Sequence, residues 1–219
     1  TVQVATGNPD LSGTRMTLAM QAAEALGIEI QNVSATVADT DSIPFSFMSV
    51  GSRTTYATGV AVYNAAKKLL KAMAEKAALI WGVETERVIV ESGIFYLDDD
   101  SGRSFDFHEL AHKIACLGEA LSVQESLTPK ANGWQLAAHL IDVEVDVLTG
   151  KVEILRSTAF QDAGKAVHPD YVAGQMQGGA VQGIGWALNE EYVYTDQGNL
   201  ANTSLLDYRM PTFLDLPMI

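Results

Sequence analysis

The sequence predicts an α+β fold in which mixed sheets pack against helices. Three long segments are predicted to be helical: residues 15–26 carry apolar residues at helical spacing, and segments at about 55–81 and 169–189 follow helix-start signals. Segments 139–147 and 151–159 instead alternate apolar and polar residues, which is typical of a β-hairpin. With 219 residues, 47 % of them hydrophobic, the chain is long enough for a core and for two subdomains. We expect those subdomains at residues 1–130 and 131–219.

The composition disfavours several kinds of partner and site. A formal net charge of −13, from 14 basic and 27 acidic residues, argues against nucleic acid and anionic membrane surfaces as partners. The sequence has no run of 18 apolar residues, so we expect no membrane span. One cysteine, Cys116, is too few for a disulfide framework or for an iron–sulfur cluster held by this chain alone. We expect Cys116 to be a small buried core residue and the protein to be cytoplasmic.

Both ends of the sequence are typical of the interior of a larger protein. The opening Thr1-Val2-Gln3-Val4 is neither a start methionine nor a signal peptide, and it already has the pattern of a strand. No polar tail precedes Ile219. We therefore expect further sequence of the same subunit on both sides of this chain.

The first elements are predicted to be a strand, a helix and a second strand. The strands cover residues 2–6 and 33–37, and the helix runs over residues 15–26 and ends at Gly27. Ser12-Gly13-Thr14 stands at the start of this helix, where free amides and hydroxyl groups can receive an anion. Ordinary capping by the two hydroxyl groups is the alternative interpretation.

A second candidate anion site precedes the longest helix, residues 55–81. Gly51-Ser52-Arg53-Thr54-Thr55 brings a glycine, three hydroxyl groups and an arginine to the positive end of that helix. Because the dipole, the free amides and a formal charge act together, we consider this the stronger of the two sites. Capping is again the alternative.

The middle of the chain is predicted to form a hairpin and a short helix. Residues 88–90 and 94–97 are its two strands, and residues 105–117 have helical periodicity. Within that helix, His108-Glu109-Leu110-Ala111-His112 matches the H-E-x-x-H pattern of zinc metallohydrolases. We interpret the match as a coincidence on the surface, and we keep the zinc enzyme as a rival function. Its third zinc ligand would be Glu119 or Glu125.

The helix predicted after His168-Pro169-Asp170 is unusually rich in glycine. Glycine costs roughly 1 kcal/mol relative to alanine inside a helix, so propensity does not explain Gly178, Gly179, Gly183 and Gly185. Residues three, four and seven apart share a face, so one stripe contains Gln175, Gly178 or Gly179, Gln182, and Gly185 or Trp186. Bare backbone flanked by carboxamides can admit a large planar ligand. Close packing of another helix against Gly179 and Gly183 is the alternative.

Several segments together resemble the large, molybdopterin-binding subunit of the molybdenum hydroxylases, which include xanthine dehydrogenase, aldehyde oxidoreductase and aerobic carbon monoxide dehydrogenase. The resemblance covers nearly all of the chain. The segments that carry it are Thr6-Gly7-Asn8-Pro9-Asp10, Val37-Ala38-Asp39-Thr40-Asp41-Ser42, Gly51-Ser52-Arg53, Gln161-Asp162-Ala163-Gly164-Lys165-Ala166-Val167-His168-Pro169, residues 175–185 and Asp207-Tyr208-Arg209-Met210-Pro211.

The resemblance implies a fold of the xanthine oxidase type and a molybdenum–molybdopterin cofactor, usually the cytosine dinucleotide in bacterial members. By position, Gln182 would contact the pterin, and Gln175, Gly178 and Gly179 would line the same cleft. Gly51, Ser52, Arg53, Thr54 and Thr55 would wrap the pterin and phosphates, and Ser12, Gly13 and Thr14 would lie by the pyrophosphate. Many members carry Gly-Gln-Gly where this chain has Leu11-Ser12-Gly13, so a glutamine contact is missing there.

The resemblance also implies a reaction and partners. The family oxidatively hydroxylates aldehydes or N-heteroaromatic compounds, with a glutamate base in a Gly-x-Gly-Glu segment that would follow Asp215-Leu216-Pro217. No residue of this chain is therefore predicted as a catalytic residue or a metal ligand, and the chain alone is expected to be inactive. Iron–sulfur clusters and FAD would lie on partner subunits or domains, in a complex that could pair into a dimer of heteromers. A non-enzymatic alternative is an inert module whose glycine-rich helix only packs against the missing parts.

Overall fold

The computed structural model describes residues 1–37, 43, 45–99, 102–128 and 135–219. The chain forms two compact units, Thr1–Asn132 and Gly133–Ile219. The first unit contains β1 (Val2–Thr6), α1 (Thr14–Leu26), β2 (Val33–Val37), α2 (Thr54–Trp81), β3 (Val88–Glu91), β4 (Ile94–Leu97), β5 (Ser104–Asp106) and α3 (Phe107–Cys116). The second unit contains β6 (Ala137–Val145), β7 (Val152–Gln161) and α4 (Pro169–Leu188).

The first unit opens with a β–α–β arrangement. Strands β1 and β2 pair in parallel from Val2 opposite Val33 to Thr6 opposite Val37, and α1 connects them. Helix α1 ends at Gly27, whose φ of 71° is readily adopted only by glycine. Because α1 follows β1, the residues that precede α1 lie at the carboxyl end of β1. Ligands usually bind at this edge of open parallel sheets.

Helix α2 forms the centre of the first unit. Its first half packs on a cluster with α1 and the parallel strands that includes Leu18, Ala22 and Val62. Its second half packs on a larger cluster with β4, β5 and α3, in which Met73 and Phe95 are almost fully buried. Burying a side chain of that size contributes about 1.5–3 kcal/mol. Both halves of α2 are thus held by apolar packing, and its second turn is tied to the segment after β1 by a hydrogen bond from the Thr58 hydroxyl to Asn8 Oδ1.

The region around Phe105 differs from the prediction of one helix over residues 105–117. Residues 104–106 form β5, which pairs antiparallel with β4 and places Phe105 opposite Phe95. Helix α3 begins only at Phe107 and ends at Cys116, with Asp106 as its N-cap. The helix prediction was wrong for Phe105 because the pairing of two buried phenylalanines across the strands overrides local periodicity.

Cys116 is exposed, so the prediction that it is a buried core residue was wrong. Helix α3 buries Leu110 and Ile114, one turn apart. Cys116 lies two residues beyond Ile114, about 200° around the helix, and therefore faces solvent. Its sulfur lies 3.8 Å from Nδ1 of His112 on the same exposed face.

The second unit consists of a long hairpin and the glycine-rich helix. Strands β6 and β7 pair antiparallel from Ala137 opposite Gln161 to Val145 opposite Val152, with a register shift after Asp142. Leu140, Val143, Leu155 and Phe160 on this hairpin are all at least half exposed. Helix α4 buries only Ala180, Ile184 and Gly185. No helix in the described part of the chain is both long enough and apolar enough to cross a membrane.

Candidate functional site

Polar groups at the start of α1 are already bound by a backbone carbonyl and by a carboxylate. Ser12 and Gly13 both have positive φ, 57° and 77°, and Gly13 is the N-cap without any side-chain cap. The buried Thr14 hydroxyl donates to the Leu11 carbonyl instead of capping the helix. Capping by Ser12 or Thr14 is therefore not what the structure contains.

Asp10 neutralises the positive charge at the same helix start. Its Oδ1 accepts the backbone N–H of Arg15 at 3.0 Å, and its Oδ2 accepts the guanidinium Nε at 2.8 Å. The backbone hydrogen bond first, and the guanidinium hydrogen bond next, hold the pKa of Asp10 below its usual value. An anion arriving here would meet a carboxylate that already uses one of the free amides.

The start of α2 is similar in backbone but different in charge. Gly51 and Ser52 have positive φ, 61° and 54°, and Arg53 is an N-cap that makes no side-chain cap hydrogen bond. The Thr54 hydroxyl donates to Ser49 Oγ at 3.1 Å, and this threonine is buried. Here too the N-cap residue provides no side-chain cap, so within the described part of the chain the first turn of α2 is not capped by its N-cap side chain.

Arg53 stands over an aromatic ring instead of a carboxylate. Its Cζ lies 4.8 Å from the centre of the Phe47 ring, and Phe47 itself is half exposed. Among the residues that the structure describes, no carboxylate forms an ion pair with Arg53. The guanidinium charge therefore lies beside the positive end of the helix dipole, an arrangement that would favour an anion.

Helix α4 presents the predicted glycine face to open space. A Cβ added to Gly178, Gly179 or Gly183 would meet no atom of the described chain within 4 Å. Gln175 and Gln182 are exposed on this helix, about 10 Å apart along its axis at 1.5 Å per residue. In the packing alternative, another helix would contact Gly179 and Gly183. The described part of the second unit contains no other helix that could do so. The surface is instead a bare, amide-flanked strip.

Gly185 has a separate, structural reason for lacking a side chain. A Cβ there would overlap Oε1 of Glu190 and lie 2.7 Å from Cδ of Pro211. The Tyr208 hydroxyl donates to Oε2 of Glu190 at 2.7 Å, and this hydrogen bond, more than burial, raises the pKa of Tyr208 to about 12. The segment with Tyr208 and Pro211 thus fixes the end of α4.

A cavity of about 100 Å³ opens between the start of the glycine face and the end of the hairpin. Gln175 and Gly179 line it from α4, and His139, Phe160 and Gln161 line it from the hairpin. The lining combines one aromatic ring, one imidazole and two carboxamides. Sequence reasoning did not select His139, Phe160 or Gln161, although Gln161 begins one of the motifs that carried the resemblance.

The twelve predicted cofactor contacts fall into three groups on two units. The starts of α1 and α2 both lie in the first unit, and the face of α4 lies in the second. The middle of α1 contacts the start of α2, because Nε2 of Gln21 donates to the Thr55 carbonyl at 3.2 Å. Residues 38–42 of one resemblance motif lie outside the described residues. The assignment of all twelve residues to a cofactor stays a prediction.

The surroundings of His108, Glu109 and His112 do not favour a zinc site. All three side chains are exposed on α3. The two proposed third ligands are already paired with lysines of α2, Glu119 with Lys76 and Glu125 with Lys68. Within the described residues, no group of three or more His, Cys, Asp or Glu side chains is placed to hold a metal ion.

Comparison with known families gives a match over almost the whole chain. The sequence model of the molybdopterin cofactor-binding domain matches residues 1–217. Among curated proteins, the chain is 29 % identical to a putative xanthine dehydrogenase molybdenum-binding subunit of Escherichia coli K12, over 100 % of this chain and 30 % of that protein. It is 28 % identical to the nicotine 6-hydroxylase large subunit of Paenarthrobacter nicotinovorans, over 94 % of this chain and 26 % of that protein.

A solved structure gives the same result for the fold. Quinoline 2-oxidoreductase from Pseudomonas putida 86 superposes with a TM-score of 0.83 and 27 % identity, over 99 % of this chain and 28 % of that one. The chain therefore spans between a quarter and a third of the length of these relatives.

Proposed function

This chain belongs to the molybdopterin cofactor-binding domain family, and from that premise we propose that it forms part of the cofactor cleft of a molybdenum hydroxylase. The observation that carries the proposal is the open glycine face of α4, where Gly178 and Gly179 leave backbone uncovered between two exposed glutamines. Exposed helix positions normally carry better helix formers than glycine. We therefore infer that a ligand or partner from outside this chain contacts the open glycine surface. A flat cofactor is such a ligand.

The available groups fit the chemistry of a pterin nucleotide. The polar edges of a pterin need hydrogen-bond donors and acceptors together, and the carboxamides of Gln175 and Gln182 supply both. Its phosphates need cations and free amides, and Arg53 with the first turn of α2 supplies those. We assign the pterin to the face of α4 and the phosphates to residues 51–55. Ser12, Gly13 and Thr14 would make weaker contacts to the pyrophosphate, because Asp10 already neutralises Arg15.

We further propose the cytosine dinucleotide form of the cofactor.

When bound, the molybdenum centre supplies a two-electron oxidation that adds oxygen from water to an electron-poor carbon. The residues of this chain bind and orient that centre, and its catalytic base would lie elsewhere in the subunit. Two relatives are named for nicotine and quinoline, which are N-heteroaromatic compounds. These names support an N-heteroaromatic substrate, with an aldehyde as the other candidate.

The proposal requires partner chains or domains. An iron–sulfur cluster needs about four thiolates, and this chain contains one cysteine. We therefore assign the iron–sulfur clusters and FAD to other subunits or domains, which contact the remainder of the large subunit. A dimer of such heteromers, located in the cytoplasm, is part of the same proposal.

The substitution Gly179→Ala in the full-length enzyme tests the proposed cleft. A methyl group there meets open space within this chain, so the helix should gain up to about 1 kcal/mol from the better helix former. The same methyl group would stand in the pterin-binding surface. We expect the molybdopterin content of the purified enzyme to fall severalfold, while the thermal midpoint of the cofactor-free enzyme stays level or rises.

Gly185→Ala is the matched control on the same helix. Its methyl group would overlap Glu190 and approach Pro211, so we expect lower thermal stability with retention of the cofactor in the folded fraction. If Gly179→Ala destabilises the cofactor-free enzyme as Gly185→Ala does, the glycine face is a packing surface and the inert-module alternative holds. Zinc in the full-length enzyme in place of molybdenum would favour the metallohydrolase.

A further inference from the structure

Asn8 is a buried polar residue that connects three segments of the first unit. It lies just after β1 with 5 % of its surface exposed. Its Nδ2 donates to the Phe47 carbonyl at 3.1 Å and to Ser49 Oγ at 3.4 Å. Its Oδ1 accepts the Thr58 hydroxyl of α2 at 2.7 Å. One amide therefore ties the end of β1 to the segment before α2 and to the second turn of α2.

The orientation of this amide is determined by its partners. A carbonyl oxygen can only accept a hydrogen bond, so the atom facing Phe47 must be the amide nitrogen. Thr6 supports that orientation, because its hydroxyl accepts the backbone N–H of Asn8 at 3.2 Å and donates to Oδ1 at 3.4 Å. Both polar atoms of the Asn8 side chain and its backbone N–H have partners, which allows this amide to be buried.

The segment that Asn8 holds leads directly to Arg53. The carbonyl of Phe47 is bound by Asn8, and the ring of the same residue lies under the guanidinium of Arg53. Ser49, the other residue bound by the amide nitrogen, accepts the hydroxyl of Thr54, the first residue of α2. Gly7 permits the close approach, because a Cβ at that position would lie 3.0 Å from the Cβ of Ser46.

We propose that Asn8 is a positioning residue for the phosphate-binding start of α2, acting through Phe47 on Arg53. The inference rests on the proposed function, because it takes the phosphates of the cofactor as the ligand at residues 51–55. A flexible arginine loses side-chain entropy when it binds an anion, and a ring that already holds the guanidinium removes part of that cost. Asn8 fixes the backbone that carries this ring.

The test uses Asn8→Leu in the full-length enzyme, since leucine has a similar shape, no hydrogen-bonding groups and no charge. The measurement is the rate at which the purified enzyme releases its cofactor, followed by the fluorescence of the oxidised pterin. We expect release to be about tenfold faster, the equivalent of about 1.4 kcal/mol. Asn202→Leu is the matched control, because the Asn202 amide also hydrogen-bonds through both of its polar atoms, to the backbone of Glu191 and Val193, but in the second unit. Its release rate should stay at the wild-type value.

A double-mutant cycle distinguishes positioning from a general loss of structure. If Asn8 acts through Arg53, Asn8→Leu should change the release rate by less than about twofold in an Arg53→Ala background. The same tenfold effect in both backgrounds would overturn the inference. Phe47→Leu provides a second route in case Asn8→Leu does not fold, because Phe47 is half exposed and its substitution should accelerate release in the same Arg53-dependent way.

The outcomes separate this inference from the function on which it rests. A wild-type enzyme that contains pterin, with unchanged release in both Asn8→Leu and Phe47→Leu, would overturn the positioning role and leave the proposed function intact. A complete wild-type enzyme without pterin would overturn the proposed function, and the inference with it.

Discussion

The starts of α1 and α2 are similar in sequence and backbone, but their electrostatic surroundings differ. Each contains a serine and a glycine with positive φ, a buried threonine as the first helical residue and a nearby arginine. Arg15 in the first turn of α1 is paired with Asp10, whereas Arg53 at the N-cap of α2 lies on the ring of Phe47. A local pattern of glycine, hydroxyl groups and arginine therefore predicts the shape of a helix start. Whether that start attracts an anion depends on the group that the arginine contacts.

The largest expected effect comes from removing the charge at α2. Arg53→Ala deletes a cation that we place on a phosphate, and a charge-assisted hydrogen bond contributes about 1.5–3 kcal/mol. We expect the full-length enzyme to release its cofactor about 10- to 100-fold faster, measured by pterin fluorescence. Arg15→Ala is the matched control and should change release by no more than about threefold, since Asp10 already neutralises that arginine. Equal effects of the two substitutions would remove the distinction between the helix starts.

The start of α3 serves as a comparison, because a side chain caps it and it is not part of the proposed cofactor site. The carboxylate of Asp106 accepts the N–H of Glu109 at 2.7 Å, a side-chain cap that neither α1 nor α2 has at its N-cap. Asp106→Ala should lower the free energy of unfolding by about 1 kcal/mol in urea denaturation, and Asp106→Asn should restore most of it. Cofactor release should match the wild-type rate in both variants. Faster release from the alanine variant would mean that the release rate depends on the overall stability of the protein and not on the start of α2.

The smallest expected effect concerns the carboxylate at α1. Arg15 holds the pKa of Asp10 below its usual value of 3.8, so the contribution of this group is present above that pH and is lost as pH falls through the lower folded-state pKa. Asp10→Asn should lower the free energy of unfolding by about 0.5 kcal/mol near neutral pH, because the pair is largely exposed. Urea denaturation over a pH series should show the difference from wild type shrinking in acid. A constant difference would show that the carboxylate charge is not its cause.

Much of the fold could be predicted from the sequence because its elements have strong local signals. The helices at 15–26, 55–81 and 169–189 and the hairpin at 88–97 were confirmed to within one or two residues. The two local errors concern α3. Phe105 joins β5 because of its partner Phe95 across the sheet, which local periodicity does not contain. The exposure of Cys116, in contrast, could have been found from the sequence, since it lies opposite the apolar stripe of its own helix.

The candidate site was only partly accessible to sequence reasoning. The motifs identified the glycine face of α4 and the residues before α2, and the family is confirmed by the match over residues 1–217. The contacts of Asn8, Asp10 and Phe47 depend on distances between segments, even though Asn8 and Asp10 belong to one of the motifs that carry the resemblance. The same is true of His139 and Gln161, which meet Gln175 at a cavity only after the hairpin and α4 pack together. The sequence alone does not show which distant segments lie close together in the folded chain.

The sequence by itself determined most of the helices and strands, the family and the location of the unusual glycines, because these depend on residue type, spacing and backbone preference. The tertiary structure decided which of those glycines are open. Gly178 and Gly179 meet nothing in the described chain, while Gly185 is enclosed by Glu190 and Pro211. It also decided which arginine is paired, since Arg15 forms an ion pair with Asp10 and Arg53 forms none with any carboxylate that the structure describes. Both distinctions depend on which atoms lie within a few ångströms, and the folded chain brings those atoms together from separate positions in the sequence.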